Sequence, residues 1–104
     1  MSADAANIQL QVNNAQARLN QASALVRQRR AEHQRAVSGE YHARGIRDRG
    51  LHRDDLAQQY DVARDELHAA EDALHNAEED EYKCQMELDD ATARFQAALA
   101  EGRG

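Results

Sequence analysis

The chain has 104 residues, a formal net charge of −6, one cysteine, no proline and no tryptophan, a size that fits a single domain. Apolar residues reach 41%, but much of that is alanine and aromatics are only 4%, which excludes a thick globular core. A charged fraction of 31% without any proline belongs to long helices or coiled coils and excludes a sheet protein.

No apolar run approaches the roughly 20 residues of a membrane span. Met1-Ser2-Ala3-Asp4 lacks the basic and apolar regions of a signal peptide. The expected location is therefore cytoplasmic, with no membrane association. Cys84 has no second cysteine to pair with and suits a reducing compartment.

The first predicted element is a helix over residues 3–44. Ile8, Val12, Ala15, Leu19, Ala22 and Val26 advance by alternating steps of four and three, the rhythm of a coiled-coil seam. Gly39 inside this helix costs about 1 kcal/mol against alanine, which a long helix tolerates. A turn is predicted at residues 45–50, Gly-Ile-Arg-Asp-Arg-Gly. There Gly45 caps the first helix in a left-handed conformation and Asp48 caps the second.

The second predicted helix covers residues 51–100, with a frayed tail at 101–104. Its seam is Leu56, Tyr60, Ala63, Leu67, Ala70, Leu74 and Ala77, resuming at Cys84, Leu88, Ala91, Phe95 and Ala98. The fold class is all-α: one antiparallel coiled-coil hairpin domain, open to dimerisation into a four-helix assembly. A reversal near Asp48 predicts the layers Ile8–Leu88, Val12–Cys84, Leu19–Ala77, Ala22–Leu74, Val26–Ala70 and Ala36–Tyr60. These mostly join a large side chain to a small one. The same register places Arg18 opposite Asp80, Arg30 near Arg64 and Glu32 near Glu66.

Polar residues interrupt the seam. Arg29 and His33 hold seam positions near the turn, and Glu81 holds one opposite Ala15. Such residues enforce register, or they loosen the tip for a docking helix. Charge is uneven as well. Residues 27–53 hold eight arginines against Glu32, Glu40 and Asp48, a net of +5, whereas residues 54–104 hold fifteen acids against four bases, a net of −11. Arg44, Arg47, Arg49 and Arg53 crowd the turn, and guanidinium forks suit carboxylates and phosphates. Together with Arg29 and His33 they are the candidate partner-binding residues. A simple seam leaves out Leu10, Leu25, Val37, Ile46, Leu51, Val62, Tyr82, Met86 and Leu99, so a partner helix or a second copy would supply burial.

Neither a phosphate loop, a zinc spacing nor a nucleophile elbow occurs. His68, Asp72 and His75 share one side of the second helix, but the heptad turns them away from the seam. No catalytic residue, metal, cofactor or small-molecule substrate is expected.

In architecture, and in the stretch Gly50-Leu51-His52-Arg53-Asp54-Asp55-Leu56, the chain resembles the coiled-coil stalk proteins and small helical chaperones of type III and flagellar export. It is shorter and less basic than they are. Its Ala/Leu layers also resemble the plasmid copy-number hairpins that bind RNA. The Trp-x-Gly secretion substrates share its size, but it lacks their motif. The resemblance to export proteins implies an adaptor, chaperone or inhibitor tied to a bacterial secretion apparatus. The residues point to a non-enzymatic module that offers a helical face and an arginine-rich tip to a protein. The alternative is RNA binding through that tip or through a dimeric arginine face. The acidic half would repel a long duplex, which favours the protein partner.

Overall fold

Residues with high helix propensity fill both arms of the chain, and nothing β-branched or proline-bearing interrupts them for long. The computed structural model describes residues 3–49 and 54–103, all of them helical. Helix α1 is Ala3–Arg49 and helix α2 is Asp54–Arg103. They pack against each other as an antiparallel hairpin, and there is no strand among the described residues. Asp4 in the first turn of α1 and Arg47 and Arg49 in its last turn complement the helix dipole.

The reversal comes later than predicted. Gly45, expected as a cap, lies inside α1, which runs on through Ile46, Arg47 and Asp48 to Arg49. Its amide and carbonyl then continue the helical ladder instead of leaving it. Gly50, Leu51, His52 and Arg53, on which the rest of the predicted turn and the start of the second helix fell, lie outside the described residues. At the other end, Glu101, Gly102 and Arg103 belong to α2 rather than to a frayed tail. Gly104 lies outside the described residues.

The packing divides into two units, each built from one stretch of α1 and one of α2. The first comprises the described residues of Met1–Leu25 and Glu78–Gly104. Ala5, Ala15 and Ala91 are buried there, and Ile8, Val12, Leu19, Leu88 and Phe95 are half-buried. An alanine at the closest approach has nothing beyond Cβ to hold the backbones apart, and larger neighbours close over it. Across this unit the Arg18 Nε donates to Glu87 Oε2 at 3.3 Å. Leu19 and Ser23 of α1 share an open groove with Glu78, Glu81, Tyr82 and Gln85 of α2.

The second unit is Val26–Ala77, less its undescribed residues. Val26 and Ala77 are buried, Val26 at 1% exposure, and Leu56, Tyr60, Leu67 and Leu74 are half-buried. Its α1 side is polar where the first unit's is apolar, because Arg29, His33 and Glu40 stand at covered positions. The surface exposed by the chain is large. The total of 7467 Å² compares with about 5,900 Å² for a compact monomer of this mass.

The predicted register does not hold. Arg18 meets Glu87, not Asp80. Tyr60, expected level with Ala36, lies under the Arg47 guanidinium at 4.0 Å. His33 Nε2 is 3.9 Å from Glu71, where the prediction set it level with Ala63. Glu81 shares its groove with Leu19 and Ser23 and is not the partner of Ala15, which instead lines a groove beside Ala91. The shift is about one heptad. A 4-3 pattern repeats every seven residues, roughly 10.5 Å, so registers one heptad apart bury the same kinds of side chain. The later reversal selects between them.

Candidate functional site

The predicted arginine tip is built from the last turns of α1 and the first turns of α2. Glu40 is its one buried charged residue among those described, at 6% exposure. A carboxylate taken out of water needs donors, and Arg44, one turn later, supplies them. Its Nη2 and Nε donate to Glu40 Oε1 at 2.6 and 3.1 Å. That hydrogen bond, and then the Coulombic attraction of Glu40, raises the Arg44 pKa above its ordinary value.

Arg47 donates to Asp48 Oδ1 through Nη2 at 3.0 Å and Nε at 3.2 Å, and the Asp48 bond is the main cause of its raised pKa. The same guanidinium covers the Tyr60 ring of α2 at 4.0 Å, while Arg64 lies 6.0 Å from that ring. Planar guanidinium over an aromatic face is an attractive arrangement. The tip therefore joins α1 to α2 by stacking. Arg64 also pairs with Asp61 at 3.6 Å on its own helix. Arg49 donates its Nε–H to the Gly45 carbonyl at 3.1 Å, satisfying an acceptor near the helix end.

The remaining predicted site residues sit elsewhere. Arg29 Nη1 donates to Glu32 at 2.8 Å, one turn along α1, so Glu32 is held by its own helix and not set against Glu66. His33 is part-buried near Glu71. Arg53 lies outside the described residues. Arg29, Arg44, Arg47 and Arg49 are thus each committed to an acceptor within the chain, and the crowding of like charge at the turn is offset locally. Composition hid this, because a net charge over 27 residues does not register an i,i+4 pair. The spacing Glu40-x-x-x-Arg44 was the available signal. Tyr60 as an acceptor for Arg47 carried none, since it depends on the register.

No protein family, curated protein or solved structure matches the chain. Its site is therefore read from chemistry alone.

Other surfaces carry side chains that the hairpin does not engage. Leu10, Val37, Tyr41, Val62, Tyr82 and Met86 are exposed, Tyr41 at 75%. Leu25, Ile46 and Leu99, also expected outside the seam, are half-buried, and Leu51 is outside the described residues. Tyr41 is the exposed aromatic that sequence reasoning left out of this set. Among the described residues Arg27 and Arg30 of α1 have no ion-pair partner. Cys84 is a free, half-buried thiol. No group of three or more His, Cys, Asp or Glu among the described residues is arranged to hold a metal ion. No described helix is long and apolar enough to cross a membrane.

Proposed function

We propose that the chain is a non-enzymatic protein–protein interaction module, of adaptor, chaperone or inhibitor type, that presents a helical face to its partner. One observation carries this reading. Arg27, Arg30, Gln34, Val37 and Tyr41 recur along α1 at steps of three and four, and all are exposed. That spacing puts them on a single face, which mixes cations, an amide, an aliphatic and a tyrosine, a composition suited to contact surfaces.

The arginine tip takes a supporting part. Its guanidiniums hold acceptors on α1, and Arg47 also ties α1 to α2 by covering the Tyr60 ring. A role beside a bacterial secretion or export apparatus is supported by the resemblance in architecture and in the stretch from Gly50 to Leu56.

The test is affinity capture from the native host with the wild-type chain and with Arg27→Glu/Arg30→Glu. The expected result is loss of the captured protein with helicity unchanged by circular dichroism. Equal capture by both chains would remove this face as the contact surface.

A further inference from the structure

The stripe on α1 has a counterpart on α2. Asp61, Asp65, His68, Asp72 and His75 advance by steps of four and three, and all are exposed. Like the α1 stripe, they belong to the unit Val26–Ala77 and share one face of their helix outside the seam. Within this unit α1 carries seven arginines against three acids between residues 26 and 49, a net of +4. Residues 54–77 of α2 carry seven acids against Arg64, a net of −6. Asp65 and Asp72, like Arg27 and Arg30, have no ion-pair partner among the described residues. One molecule therefore displays both halves of a complementary pair on different helices.

We propose that the occupant of the α1 face is a second copy of this chain. The α1 stripe of each copy lies antiparallel along the α2 stripe of the other. The inference rests on the reading of α1 as an interaction face and names its partner. Antiparallel order repeats the arrangement within one copy. It brings Arg27 and Arg30 toward Asp72 and sets Val37 and Tyr41 toward Asp61 and Asp65, beside exposed Val62. A two-fold axis makes the contact twice, so the assembly closes as a dimer. Placing α1 on α1 instead would bring together two segments that each carry a net of +4.

The experiment is sedimentation equilibrium of the full chain at low and high salt, with circular dichroism to follow helicity. Three samples are compared with wild type: Arg27→Glu/Arg30→Glu, Asp65→Lys/Asp72→Lys, and an equimolar mixture of the two. The expected result is a wild-type dimer weakened by salt, with either variant alone dissociating about tenfold or more readily. The mixture should recover the dimer, because both cross-copy contacts then join opposite charges. A wild-type chain that stays monomeric at every salt concentration overturns the proposal, and so does a dimer indifferent to both variants. If the wild type is monomeric yet Arg27→Glu/Arg30→Glu still loses a captured protein, self-pairing falls and the interaction-face reading stands.

Discussion

Arg18 of α1 and Glu87 of α2 meet across the hairpin at 3.3 Å, and the pair reports the register of the two helices. Both side chains are more than half exposed, so the pair marks the alignment without enforcing it. A short bis-maleimide linker should join Arg18→Cys to Glu87→Cys within one molecule in a Cys84→Ala background. The Arg18→Cys/Asp80→Cys chain should react far less. Peptide mapping by mass spectrometry reads the difference, and preferential linkage to position 80 would restore the earlier register.

Gly45 and Gly39 give an independent check on where α1 ends. A Cβ at Gly39 meets nothing within 4 Å, and one at Gly45 meets only Arg49 Nη2 at 3.6 Å, an ordinary contact. Both positions lie within the helix. Gly39→Ala should stabilise the fold by about 0.5–1 kcal/mol, and Gly45→Ala by somewhat less, being in the last turns. Urea denaturation measures both. A left-handed cap at position 45 would give the opposite sign, since alanine there is strained.

Val26 is the largest fully buried side chain among the described residues. Val26→Ala removes two buried carbons and leaves a void, which costs about 2 kcal/mol. For a chain of this length the melting temperature should fall by roughly 10 °C, as followed by ellipticity at increasing temperature. A change within error would mean that the seam closes over the gap.

Glu32 should titrate low. Its hydrogen bond from Arg29, with that from Gln28 second, holds the carboxyl below its ordinary value of 4.5. A depressed carboxyl contributes stability that is present above that ordinary value and is lost as the pH falls through the folded one. Carboxyl-carbon resonances should show the shift directly. Arg29→Met should move the midpoint back up, and an unmoved midpoint would separate the two residues.

The occupied guanidiniums at the tip bear on RNA. Arg44 and Arg47 already hold Glu40 and Asp48, and α2 is strongly acidic. No mobility shift of a short RNA hairpin is expected at about 0.15 M salt, where surface charge is screened beyond roughly 8 Å. Retention at that salt would favour the nucleic-acid reading.

Two helices and the positions that face inward are local properties. Alternation of four and three at Ile8, Val12, Ala15 and Leu19, and again at Leu67, Ala70, Leu74 and Ala77, is written in the residue order, and so is the basic-to-acidic division. Register is not local. A heptad pattern matches itself after every seven residues, and only the course of α1 through Gly45 separates one alignment from the next. The arginine tip shows the same division. Its charges were countable, but whether Arg44 and Arg47 pointed outward depended on Glu40 being buried one turn earlier and on Tyr60 arriving from the other helix. Periodicity determines what can pack, whereas the position of the reversal determines which residues meet.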